Sequence, residues 1–224
     1  MNETTDDNPL QTRFGDAERR VGELRGRLGE EHPDTLAAML DLAEITFAQG
    51  RLIATRRIEE QVVAARTRLL GDAHGDTLKA MRKLGVTLGA QGEFAAARDL
   101  QQRVVSGMRA LWGEDDQETL RAVNNLAGTF AAGGDLAQAQ AILEDTIAQS
   151  CRILGDQHPD TLTAMANLAA VLWQQGNEEE AYALQYQVAE LQRHVLGAEH
   201  PATALAEAAL ATMERAIELW SRPV

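Results

Sequence analysis

Only one cysteine, Cys151, occurs in the 224 residues, so an internal disulfide and any site built from several cysteine ligands are excluded. Its place inside a helical segment marks it as a small packing residue rather than a reactive thiol. Aromatic residues make up 4% of the chain, and no apolar run approaches the roughly 20 residues needed to cross a bilayer. The opening stretch MNETTDDNPLQTR is polar and acidic and lacks the basic region and apolar core of a secretory signal, so a cytoplasmic location without membrane contact is expected. Positive charge is scarce as well: 21 basic residues face 34 acidic ones, for a net charge of −13, which leaves no broad cationic surface for a nucleic acid. All but two of the basic residues are arginine, the exceptions being Lys79 and Lys83, a bias suggestive of a GC-rich, bacterial coding sequence. No glycine-rich phosphate loop follows a strand, and no nucleophile, base and orienting group recur together, so neither an enzyme nor a bound cofactor is expected.

What the chain has is period. Nine glycines stand at 29, 50, 71, 92, 113, 134, 155, 176 and 197, each 21 residues from the last. The segments after them alternate in kind. Gly29, Gly71, Gly113, Gly155 and Gly197 are followed by EEHPDTL, DAHGDTL, EDDQETL, DQHPDTL and AEHPATA. Pro33, Pro159 and Pro201 suit the first helical position, where a missing N–H costs nothing, and Asp34, Asp76, Glu118 and Asp160 place negative charge beside the helix N-terminus. Gly50, Gly92, Gly134 and Gly176 are followed by RLIATRRI, EFAAARDL, DLAQAQAI and NEEEAYAL, which open a second kind of helix. Each of the nine glycines reads as a C-terminal stop, able to take the positive φ that closes a helix. The repeat is therefore 42 residues, helix, turn, helix, turn.

With the first-helix interiors aligned at this period, MLDLAEITFAQG, MRKLGVTLGAQG, VNNLAGTFAAGG and MANLAAVLWQQG, the chain resembles tetratricopeptide repeats of the kinesin-light-chain subtype over about residues 29–204. The likeness rests on the pairs Leu28-Gly29, Leu70-Gly71, Leu154-Gly155 and Leu196-Gly197, the HPDTL stretches, and the triplets Asn125-Leu126-Ala127 and Asn167-Leu168-Ala169. Repeat 155–196 matches nearly throughout, whereas repeat 113–154 has Asp116-Gln117 in place of His-Pro and repeat 71–112 has Gly75 in place of proline. An ordinary unit of this family has roughly 34 residues, so each helix here is longer by about one turn. The resemblance implies an all-α fold, a right-handed α-α superhelix. Its expected parts are a tail and half-repeat capping helix at 1–28, repeats at 29–70, 71–112, 113–154 and 155–196, and a C-terminal capping helix at 197–224, in one continuous domain.

The same resemblance places a peptide-binding wall on the first helices. Its expected cationic centre is Lys79, Arg82 and Arg121, with Asn124 beside them, Asn125 and Asn167 from the NLA triplets, and Phe47 and Trp173 flanking as aromatic pockets. The small residues Gly89, Gly128, Ala131 and Ala132 leave room for a ligand backbone. Arginine grips carboxylates bidentately and asparagine pairs with peptide N–H and C=O, so an extended acidic peptide with apolar anchors is the expected partner of a non-catalytic scaffold or adaptor. A self-associating homo-oligomer, or a regulatory or sensor module of a bacterial signalling or transcription-control system, is the alternative. His32, His74, His158 and His200 recur at multiples of 42 residues, too far apart in such a stack to share a metal, and are expected to hold the loop before each first helix.

Overall fold

The structure, a computed structural model, describes residues 9–220 and the side chains of residues 10–219. The expected tail ahead of Pro9 and the side chain of Trp220 lie outside the described residues. Among the described residues the chain is helical, with no strand. Its elements are α1 (Pro9–Leu28), α2 (Pro33–Ala48), α3 (Leu52–Leu70), α4 (Gly75–Ala90), α5 (Phe94–Trp112), α6 (Gln117–Ala132), α7 (Leu136–Ile153), α8 (Pro159–Gln174), α9 (Glu178–Leu196) and α10 (Pro201–Trp220). They form two compact units, Met1–Leu111 and Trp112–Val224. In the first, α1 packs on α2, α2 on α3 and α3 on α4. In the second, α6, α7, α8, α9 and α10 pack each on the next, and α6 also touches α8. Short connections between consecutive helices dictate this neighbour-on-neighbour order. No described helix is long and apolar enough to cross a membrane.

The nine periodic glycines all have positive φ, but they close their helices in two ways. At the end of α2 the Gly50 N–H reaches the Phe47 carbonyl at 2.8 Å and the Arg51 N–H reaches the Thr46 carbonyl at 2.9 Å, the paired bonds of a Schellman motif. The same pair of bonds closes α4, α6 and α8. Gly71, after α3, instead has φ 87° and ψ 162°, a region open to glycine and essentially to no other residue, and the chain turns straight into the next first helix.

That next helix is capped by the recurring histidine. His32, His74 and His158 each accept, through Nδ1, the backbone N–H of Asp34, Asp76 and Asp160 at 3.2, 3.2 and 3.1 Å, and His200 accepts that of Ala202 at 3.2 Å. In the third repeat Asp116 takes the place and accepts two N–H groups, from Glu118 at 2.9 Å and Thr119 at 3.2 Å. A second clamp follows three residues later, where the hydroxyls of Thr35, Thr161 and Thr203 donate to the carbonyls of Gly29, Gly155 and Gly197 at 2.8–2.9 Å. The loops before the first helices are thus fixed by the histidines, as the period of 42 suggested.

The core follows the helix faces. In the first unit Leu36, Met39, Leu40 and Leu42 of α2 pack with Val21 of α1 and Val62 of α3. In the second, Ala127, Leu143, Leu168 and Leu172 form one cluster, and Leu162, Val188 and Ala206 part of another. Where the first helices press closest on their partners the residue is small: Ala43, Ala127 and Ala169 are fully buried, and at Gly85 a Cβ would lie 2.7 Å from Gln101 Cγ. One interior position of the second helices varies: Glu59, Gln101, Leu143 and Gln185, at intervals of 42, are all buried.

Candidate ligand-binding face

The NLA triplet sets the register. With its alanine packed against the partner helix, one stripe of each first helix must turn away from the core. On α6 that stripe holds Arg121, Asn124 and Gly128, spaced three and four residues apart and all half-buried. On α8 it holds Thr163, Ala166 and Ala170, with Asn167 one residue along from Ala166; Thr163 and Ala170 are exposed, and Ala166 and Asn167 are half-buried. Direct packing of α6 on α8 brings the two stripes side by side. Asn167 Nδ2 donates to Asn124 Oδ1 at 3.1 Å. Asn125, one residue along, is half-buried, and its main-chain carbonyl accepts the Thr129 hydroxyl at 3.2 Å. A Cβ built at Gly128 meets nothing within 4 Å, so the space in front of this stripe is open.

Arg121 is held by two carboxylates. Its Nε donates to Asp160 Oδ2 at 2.8 Å and its Nη1 to Glu118 Oε1 at 2.9 Å. Gln117 Nε2 joins the same Asp160 oxygen at 2.7 Å. Burial alone would lower the guanidinium pKa, but the hydrogen bonds and charges of Asp160 and Glu118 outweigh it, and the net direction is upward. The side chain keeps 39% exposure, so the cation stays reachable from solvent in a fixed pose. Trp173 is half-buried and rests against the cluster of Ala127, Leu168 and Leu172, which makes it a rigid platform continuous with the core.

In the first unit the corresponding positions on α4 are Lys79 and Arg82, both half-buried, and Phe47 is half-buried near the end of α2. Beside them Lys83 Nζ pairs with Glu44 Oε1 of α2. Leu40 occupies the position equivalent to Arg82 and Asn124 but is only 8% exposed; it belongs to the cluster that α1 joins through Val21, with Phe14 and Leu24 packed against it. The residues that reading by period alone missed are Asp160 and Glu44, the carboxylates that engage Arg121 and Lys83. Their signal is present in the sequence as opposite charges 39 residues apart, one helical turn short of the repeat.

Cys151 is half-buried, and burial, with Asp156 adding to it, pushes its thiol pKa up, which disfavours the thiolate. Among the described residues no group of three or more His, Cys, Asp or Glu side chains is placed to hold a metal ion.

The family model for the tetratricopeptide repeat matches residues 34–110 and 118–182. No curated protein matches the chain. Among solved structures, a kinesin-light-chain-type protein of Podosopora anserina with nearly identical TPR-like repeats is 27% identical, with a TM-score of 0.64 over 83% of this chain and 88% of that one. A substituted form of the same protein aligns with a TM-score of 0.66 at 27% identity, covering 84% of this chain and 88% of that chain. BtubC (BKLC) of P. vanneervenii reaches a TM-score of 0.71 over 95% of this chain and 85% of its own, at 15% identity, a likeness of fold alone.

Proposed function

Because this chain belongs to the tetratricopeptide repeat family, in its kinesin-light-chain subtype, we propose that it is a non-catalytic cytoplasmic adaptor that holds an extended, acidic peptide segment of a partner protein on its first-helix face. Repeats of this family are protein-interaction scaffolds, and the finer reading comes from the residues. We take 29–70, 71–112, 113–154 and 155–196 as the repeat units, with 1–28 and 197–224 as caps.

The observation that carries the reading is the Asn124–Asn167 pair beside the open space at Gly128. A peptide in extended conformation presents N–H and C=O groups to either side, and a row of amides on successive helices meets them with donors and acceptors already oriented. Pre-orientation lowers the entropy lost on binding. Arg121, kept in place by Asp160 and Glu118, supplies a charge-assisted donor for a ligand carboxylate, and Trp173 supplies an apolar platform. In the first unit Lys79 and Arg82 of α4 offer the same cationic chemistry, with Phe47 on α2 as the apolar contact. Affinity is modest, since a disordered segment loses freedom as it binds.

The test is selection from a random displayed peptide library on the wild-type protein, counter-selected on Gly128→Phe, whose side chain enters the open space in front of the Gly128 Cβ. The expected outcome is a set of Asp- or Glu-containing peptides retained by wild type and rejected by the variant. Peptides retained equally by both would defeat the assignment of this face.

A further inference from the structure

The four second helices that follow Gly50, Gly92, Gly134 and Gly176 serve as internal controls for one another, because each begins at the same place in the repeat. At the position of Arg51 the other three carry Glu93, Asp135 and Asn177. At the position of Ile53 they carry Ala95, Ala137 and Glu179, and at that of Arg57 they carry Asp99, Ala141 and Ala183. The fold therefore asks for nothing basic or bulky there. The N-cap and first two turns of α3 nonetheless carry three arginines, Arg51, Arg56 and Arg57, and no acid up to Ile58, in a chain of net charge −13.

The side chains are disposed as a contact surface. Ile53 is 81% exposed, a larger fraction than any other large apolar residue described. Arg57 lies one turn further along the same face and is exposed. Arg51 is stacked with its guanidinium carbon 4.7 Å from the centre of the Phe14 ring, which fixes the plane of the group and leaves its edge for hydrogen bonds. Arg56 turns the other way and is consumed within the protein, by Glu60 at 2.7 Å and Glu93 at 2.5 Å. Between them, Arg51, Ile53, Ala54, Arg57 and Ile58 border an open cavity of about 560 Å³.

We propose that this face of α3 is a second docking surface, distinct from the first-helix face, for an acidic partner segment that carries an apolar side chain. The apolar side chain covers Ile53, and carboxylates on either side meet Arg51 and Arg57. Charge complementarity selects the occupant: two arginines flanking an isoleucine match a short acidic motif with one anchor. An anionic membrane is disfavoured, because two cations are few for such a surface and the rest of the chain is repelled by it.

The experiment uses the whole chain and a fluorescein-labelled peptide of alternating glutamate and leucine, read by fluorescence anisotropy. Wild type, the double variant Arg51→Glu with Arg57→Glu, Ile53→Ala and Gly128→Phe are compared, with far-UV circular dichroism on each. Glu93 and Asp135 at the Arg51 position show that an acid there is compatible with the fold. Introduced into Gly128→Phe, where the first-helix face is blocked, the charge reversal is expected to weaken binding by at least about tenfold and Ile53→Ala by about tenfold. At least one class of bound probe should survive Gly128→Phe. The lysine–leucine counterpart of the probe should not bind. Absence of binding by wild type, or affinity left unchanged by the charge reversal in the Gly128→Phe background, overturns the proposal. So does co-sedimentation with phosphatidylserine vesicles that the double variant abolishes, or probe binding that appears only after residues 1–8, with Glu3, Asp6 and Asp7, are removed; these would assign the surface to a membrane or to the chain itself.

Discussion

The two units differ at one interior position of their second helices. In the first unit it is filled by Glu59 and Gln101, 4% and 2% exposed. Glu59 Oε2 and both polar ends of Gln101 make no hydrogen bond. In the second it is filled by Leu143, fully buried in an apolar cluster, and by Gln185, whose Nε2 donates to the Ala206 carbonyl at 2.9 Å. One scaffold position thus accepts a carboxyl, an amide or a hydrocarbon, and at this position it is the amide of the second unit that finds a partner, the Ala206 carbonyl. Burial pushes the Glu59 pKa up; the Thr87 hydroxyl and the charge of Lys83 oppose this and Glu44 adds to it. A buried polar group without partners costs free energy that a satisfied or apolar one does not. At this position the first unit therefore carries the costlier interior, and α3 and α5 should open locally more readily than α7 and α9.

Exchanging the residues breaks the comparison most sharply. Leu143→Glu places the carboxyl of the first unit among the fully buried apolar residues of the second, and should cost at least about 3 kcal/mol, lowering the melting temperature and opening α6–α8 to hydrogen exchange. In the first unit Glu59→Gln, which introduces the amide that Gln101 and Gln185 carry at this position, should stabilise once the carboxyl would be charged. A carboxyl whose folded pKa is raised contributes most below the ordinary glutamate value and loses that contribution as pH rises through the folded pKa. The advantage of Glu59→Gln should therefore be absent in acid and grow toward neutral pH in a series of thermal melts.

What the units share should respond alike in both. His74→Ala and His158→Ala each remove a cap and should cost about 1 kcal/mol, seen as faster exchange in the first turns of α4 and α8, whereas His158→Asp should be nearly silent because Asp116 already performs that role. The smallest effect separates two helical glycines. Gly128→Ala should stabilise by roughly 0.5–1 kcal/mol, since the new methyl meets open space, and Gly85→Ala should give no such gain because its Cβ would crowd Gln101. Chemical denaturation of the two variants checks the sign.

Much of this was legible as period. The nine glycines mark the ends of α1 to α9, because a position that must hold positive φ tolerates little else. The difference between the Schellman ends and the Gly71 type of end was not legible, since both need glycine and only ψ distinguishes them. The histidines could be placed in the loops from their spacing, yet their capping role became evident only beside Asp116, a familiar cap in the same place. On the candidate face, aligning residues at 42 brought Asn125 under Asn167, but the bonded pair is Asn124 with Asn167, 43 residues apart. Arg121 and Asp160 meet at 39. Side chains on neighbouring helices lean along the helix axis, so contacts fall a residue or a turn away from the repeat, and alignment by period alone does not find them. Leu40 shows the other limit: its register is that of Arg82 and Asn124, but the core cluster that α1 joins takes it in.

The measurement that bears most directly on the proposed peptide face is a nuclear magnetic resonance titration of the side-chain amides of Asn124 and Asn167 with an acidic peptide selected on the wild-type protein. The account predicts saturable shifts of both amide pairs, together with the Gly128 backbone N–H, at the affinity measured for that peptide. A peptide that binds while these signals stay unmoved would place the working surface elsewhere on the chain.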